Sequence, residues 1–151
     1  MQSAKPVNNL SNSRELLQDL RSRESEMLRL LGKFARAESP SLDKKSIDEF
    51  GRMVAAEWRA RGARVTWLRQ KNRGDHLLIN LPHKNSRADG RILLLGHMDT
   101  VYDKGSLAHM PFRIAQGRAW GPATFDMKGG LVLALFAIDA LKRAGIATRK
   151  E

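Results

Sequence analysis

The sequence predicts an α/β fold in which a mixed, largely parallel sheet is flanked by helices. Three observations lead there. Apolar residues recur at helical spacing through two early stretches, the period then changes to two, and a short continuous apolar run (Ile92, Leu93, Leu94, Leu95) precedes one late helical segment.

Leu16, Leu20, Met27, Leu31 and Phe34 fall on one stripe, widened by Leu17, Leu28 and Ala35, which predicts an amphipathic helix over residues 14–37 with Asn12 or Ser13 as its cap. Ser39-Pro40-Ser41 breaks that pattern. Ile47, Phe50, Val54 and Trp58 then mark a second helix that Gly62 can end. Both stripes read as core. Val65 and Trp67 alternate with polar neighbours, and a second strand-like run covers residues 76–81, with Asn72-Arg73-Gly74-Asp75 as the hairpin turn between them. The run at 92–95 is apolar throughout, as in a strand covered on both faces. Ligands in open α/β sheets sit at the carboxyl ends of such strands, so function is to be sought just after Leu95.

A length of 151 residues suits one ordinary domain or a piece of a larger one, and 42% hydrophobic residues allow a real core. Residues 1–13 read as a flexible tail and 14–151 as the domain. With no cysteine, a disulfide framework is excluded, and any metal must be held by His, Asp or Glu. Residues 1–13 lack the apolar core of an export signal, and the longest apolar stretch, 131–137, is too short to cross a bilayer. The expectation is a soluble cytoplasmic protein with no membrane partner. The formal charge of +11 raises the question of nucleic acid, but the 27 basic residues are scattered among mixed-sign runs such as Arg21-Ser22-Arg23-Glu24 and Asp43-Lys44-Lys45. No aromatic RNA-binding signature accompanies them, and a solvated basic surface is the commoner meaning of such charge.

Two segments carry chemistry. In extended backbone, residues two apart share a side, so His97 and Asp99 of Gly96-His97-Met98-Asp99-Thr100-Val101 would project into one space. A ligating imidazole commonly has a carboxylate behind it that fixes its orientation. An isolated His-x-Asp is nevertheless more often a surface pair. Downstream, Gly121-Pro122-Ala123-Thr124-Phe125-Asp126-Met127-Lys128-Gly129-Gly130 forms a loop opening a helical pattern. Asp126 alone reads equally well as a helix cap or as a rigidly held carboxylate able to bridge two metal ions.

Together the segments are far more specific. A strand ending in Gly-His-x-Asp-Thr-Val, then Gly-Pro, then Asp-Met-Lys-Gly-Gly opening a helix, resembles the co-catalytic zinc peptidase family of glutamate carboxypeptidase, acetylornithine deacetylase, succinyl-diaminopimelate desuccinylase and aminoacylase. Tyr102, Lys104-Gly105, Pro111-Phe112 and Ala119-Trp120-Gly121 look most like the glutamate carboxypeptidase branch. The likeness is strong over residues 91–145. It implies the N-terminal part of a zinc-peptidase catalytic domain, with His97 a ligand of one Zn²⁺, Asp126 the carboxylate shared by two ions, and Asp99 the catalytic aspartate that steadies His97. It also implies a cis peptide at Asp126-Met127. Ala123 departs from the pattern, where the family commonly has glycine.

Two zinc ions can lower the pKa of a bridging water and stabilise the oxyanion formed at an amide carbonyl, while a glutamate moves the proton. In the family that glutamate is followed by a second, zinc-binding one. No Glu-Glu pair occurs here, the only carboxylates after Asp126 are Asp139 and Glu151, and no histidine follows His109. His76, His83 and His109 read as surface histidines. The expectation is therefore a fragment, inactive by itself, with the remaining ligands and a lid and dimerisation domain beyond Glu151. The resemblance implies a small peptide or N-acyl amino acid substrate, and a homodimer for the full-length protein. Two alternatives stay open: a non-catalytic relative acting as a binding module, and a basic nucleic-acid binder whose affinity falls steeply with salt.

Overall fold

In the computed structural model, residues 9–81 and 92–145 are described, with side chains from residue 13. The elements are α1 (Asn9–Ser22), α2 (Glu24–Arg36), α3 (Lys44–Ala60), β1 (Arg64–Leu68), β2 (His76–Asn80), β3 (Arg113–Ala115), β4 (Arg118–Trp120) and α4 (Gly129–Arg143).

The single helix expected over 14–37 is two. The first begins at Asn9, inside the stretch read as a tail, and Arg23 breaks the run with φ −106° and ψ 12°. Tertiary contacts explain the break, because the Arg23 guanidinium lies 4.5 Å above the Phe136 ring and 3.4 Å from the Asp139 carboxylate. Arg61 reaches the same carboxylate at 3.0 Å, so two arginines converge on α4. The second predicted helix is α3, capped by Asp43, whose carboxylate accepts the Ser46 backbone N–H at 3.1 Å. It ends before Gly62, whose φ of +79° suits glycine.

The core forms where the three apolar stripes meet. Phe34 of α2, Phe50, Val54 and Trp58 of α3, and Val132, Leu135 and Phe136 of α4 are all buried. Phe34 and Phe50 pack edge to face with centroids 5.1 Å apart, an arrangement that adds about 0.5–1.5 kcal/mol to simple burial.

β1 and β2 form the expected antiparallel hairpin, in register from Arg64↔Asn80 to Leu68↔His76. Val65, Leu77 and Ile79 turn inward against the core, while Leu68, His76 and Leu78 face outward. β3 and β4 form a second antiparallel pair joined by Gln116 and Gly117, both at positive φ, the geometry of a tight two-residue hairpin turn.

The largely parallel sheet is not seen among the described residues, where both ladders are antiparallel and the one parallel contact is an isolated bridge, Pro40↔Thr100. Ile92, Leu93, Leu94 and Leu95 belong to no strand and are 69–78% exposed. Their apolar character fits a two-sided burial, but a strand exists only where a neighbour supplies ladder bonds. None of the described residues does. No described helix is long and apolar enough to cross a membrane.

Candidate metal centre

His97, Asp99 and Asp126 meet at the end of the 92–95 run. His97 Nε2 lies 2.8 Å from Asp126 Oδ1, across 29 residues of sequence. On the other side of the ring, Nδ1 is 3.0 Å from the Asp99 carbonyl oxygen and 3.3 Å from Asp99 Oδ1. A neutral imidazole donates from only one nitrogen, so oxygens at both favour the doubly protonated ring. Burial by itself pushes the His97 pKa down, but the hydrogen bonds to Asp126 and to the Asp99 backbone, with both carboxylate charges, outweigh it and raise the pKa above its ordinary 6.5. The side chains of His97 and Asp126 are 44% and 77% exposed, so the pair opens to solvent.

Asp126 is not a helix cap. The residue at the N-cap of α4 is Lys128, without any side-chain cap bond, and Asp126 has extended rather than helical backbone (φ −118°, ψ 101°). The Asp126-Met127 peptide is cis, as the resemblance implied. Met127 turns back beneath the histidine, its sulfur accepting the His97 backbone N–H at 3.2 Å. Ala123, where glycine is commoner in the family, is buried at the left-handed φ of +56°. That conformation favours glycine, which accounts for the family's commoner residue and makes alanine here a strained choice.

Behind the site runs a linker that the sequence marked only as a helix break. Ala37 O accepts a 2.6 Å hydrogen bond from Lys128 Nζ, which also lies 4.4 Å above the Phe50 ring. Burial pushes the Lys128 amine down to about 8, against the opposing pull of Glu38. The Glu38 carboxylate accepts from the backbone N–H groups of Gly105 (2.8 Å) and Leu107 (3.1 Å). Those two bonds, foremost, hold its pKa below the ordinary value. Ser39 Oγ donates to Met98 O at 2.7 Å, and Ser41 Oγ donates to Asp99 Oδ2 at 2.5 Å. Small polar residues around a proline were the only signal available, and they do not name a partner.

One imidazole and one carboxylate facing each other, with a second carboxylate at the imidazole's far nitrogen, suit a borderline cation such as Zn²⁺. Among the described residues no group of three or more His, Asp and Glu side chains is gathered to hold a metal. The pair alone offers fewer donors than a zinc site generally takes. A cleft of about 400 Å³ is lined by Tyr102, His109, Met110, Arg113, Trp120 and Phe125 among others, the last of these adjoining Asp126 in sequence, while His97, Asp99 and Asp126 themselves do not line it. His109 lies there and His76 is exposed on β2, while His83 falls outside the described residues.

Residues 93–151 match the model of peptidase family M20/M25/M40. The chain is 34% identical over 132 residues to carboxypeptidase G2 of Pseudomonas sp. (strain RS-16), an alignment covering 87% of this chain and 31% of that protein. The chain thus spans about a third of the length of this relative. The family match runs through both the His97 segment and the Asp126 loop, the two pieces of sequence that the fold brings face to face, and over these residues the chain is similar to the peptidase M20/M25/M40 family.

Proposed function

We propose that these residues form part of a zinc-dependent peptidase or amidohydrolase that cleaves the amide bond to a C-terminal, glutamate-like residue. The observation that carries the reading is the 2.8 Å approach of His97 Nε2 to Asp126 Oδ1, two donors from distant segments aimed at one solvent-open point. The similarity to carboxypeptidase G2 supports the carboxypeptidase class.

The residues divide the work. His97 offers Nε2 as a ligand, and Asp99 holds the Nδ1 side of the ring, which fixes the tautomer that leaves Nε2 free to bind. Asp126 has two carboxylate oxygens, enough to serve two ions, and its exposure leaves both accessible. When bound, a zinc pair supplies an activated water and a counter-charge for the oxyanion. The cleft bounded by Tyr102, Arg113 and Trp120 gives room for a small peptide or N-acyl amino acid, with Arg113 as a cation for its carboxylate. The proton-moving group and the remaining ligands are assigned to the longer protein.

Zinc titration by calorimetry and an assay on an N-acyl glutamate test this, comparing the 151-residue chain with a protein extended to the length of carboxypeptidase G2. The extended protein is expected to bind two zinc ions and turn over substrate. The shorter chain offers His97 and Asp126 where a catalytic zinc site generally needs about three protein ligands per ion. Its sequence has no Glu-Glu pair to supply the general base of the resemblance, a group worth about 10²- to 10⁴-fold. Turnover by the shorter chain near the extended rate would overturn the division of labour, and an extended protein inert towards zinc would overturn the enzyme reading.

A further inference from the structure

Asp99 divides its two oxygens between different partners. Oδ1 is 3.3 Å from His97 Nδ1, and Oδ2 accepts the Ser41 hydroxyl at 2.5 Å. Ser41 Oγ also lies 3.1 Å from Thr100 O. A hydroxyl has one proton, and the shorter contact, to a charged acceptor, takes it.

The serine is itself held from both sides. Its backbone N–H donates to Thr100 O at 3.0 Å, and the Thr100 N–H donates to Ser39 O at 2.9 Å, which lays residues 39–41 parallel to 99–101. The hydroxyl is therefore delivered to Asp99 by backbone bonds rather than by a freely rotating loop. The Asp99 side chain is 41% exposed, so water could solvate Oδ2 but could not fix the plane of the carboxylate. That plane decides which way Oδ1 faces the imidazole.

We propose that Ser41 is a positioning residue of the metal centre, acting through Asp99 to orient His97, in a role that rests on the zinc reading above. Removing the hydroxyl leaves every ligand in place. It frees the Asp99 carboxylate to rotate away from Nδ1, leaving the Asp99 carbonyl oxygen at 3.0 Å as the remaining acceptor there, and so weakens the preference of His97 for a proton on Nδ1. A residue that orients a ligand is generally worth about 10- to 100-fold in metal affinity. Ser41 stands one step further out, and its loss is expected at the lower end, about tenfold.

The test uses the 151-residue chain and the variants S41A, S41T and S39A at one fixed pH where the His97 ring is neutral. Long-range ¹H–¹⁵N spectra of the metal-free ring report which nitrogen carries the proton, and zinc affinity is measured by calorimetry on the same variants of the protein extended to the length of carboxypeptidase G2. S41A is expected to shift the proton population from Nδ1 towards Nε2 and to weaken zinc about tenfold, while S41T restores both. S39A removes a fully buried hydroxyl bonded to Met98 O, so it lowers Tm but leaves the ring unchanged. An S41A ring spectrum identical to the parent's, or S41T behaving like S41A, overturns the proposal. If the extended parent binds no zinc, the zinc reading falls, and the ring spectra still decide the role of Ser41.

Discussion

Asp75 is 2% exposed, yet it carries a charge. The Gln70 backbone N–H donates to it at 2.9 Å, and Lys44 and Arg69 each reach it at 2.6 Å. Led by the Gln70 bond, these hold its pKa well below the ordinary carboxylate value of 3.8. A carboxyl with a depressed folded pKa adds stability above its unfolded pKa and loses it as the pH falls below that value. Asp75→Asn is therefore expected to lower Tm at pH 7, with the gap to the parent narrowing below about pH 4. Thermal unfolding followed by circular dichroism at pH 7 and pH 2.5 checks this, and a gap of equal size at both would refute it. At the candidate centre, His97→Ala and Asp126→Ala should abolish zinc binding in the extended protein, whereas Asp99→Asn should weaken it by about 10- to 100-fold in calorimetry. That His97, Asp99 and Asp126 meet was legible because their two segments together resemble the motifs of a family, where either segment alone left the reading open. Ser41 was not, because its partner lies 58 residues away and the pairing depends on one backbone bridge.

At the scale of elements, periodicity revealed α3, α4 and the β1–β2 hairpin, whose buried faces follow from spacing alone. It missed the break at Arg23, because the reason is a ring and a carboxylate on α4 more than a hundred positions away. It also put a covered strand at 92–95, since an apolar run reports what burial it suits and not whether a neighbour is present. Phe50 ties two layers together, packing on Phe34 and lying beneath the Lys128 amine. Phe50→Ala should cost about 3–5 kcal/mol in urea unfolding and loosen the Asp126 loop as well. A loss below about 1 kcal/mol would mean that the aromatic contact is not the joint between α3 and that loop. Gly74 is a backbone contact, since a Cβ there would lie 2.1 Å from Ile47 Cγ2. Gly74→Ala should push the hairpin off α3 at a cost of about 1–3 kcal/mol. An unchanged urea midpoint would contradict that packing.

For the whole molecule, the charge of +11 and the open apolar run at 92–95 pull in opposite directions. Net charge keeps copies apart, but four consecutive exposed aliphatic residues offer an unpaired edge. Replacing Leu93 and Leu95 with lysine should reduce self-association in sedimentation velocity, with stability changed by less than about 0.5 kcal/mol per site because both side chains are already solvated. A large fall in Tm would mean that the run is covered in solution. The linker between α2 and α3 sets a different limit. Surface connections usually tolerate extra residues, yet here four of the five positions from 37 to 41 make side-chain or carbonyl contacts with other segments: Lys128 at 37, the 105–107 loop at 38, and the 98–100 segment at 39 and 41. In extended backbone one added residue advances the chain by about 3.3 Å and turns every later side chain to the opposite face. An insertion after Pro40 would thus point the hydroxyl at position 41 away from Asp99, so this short, largely covered segment has a fixed length, set by the interior distances it spans.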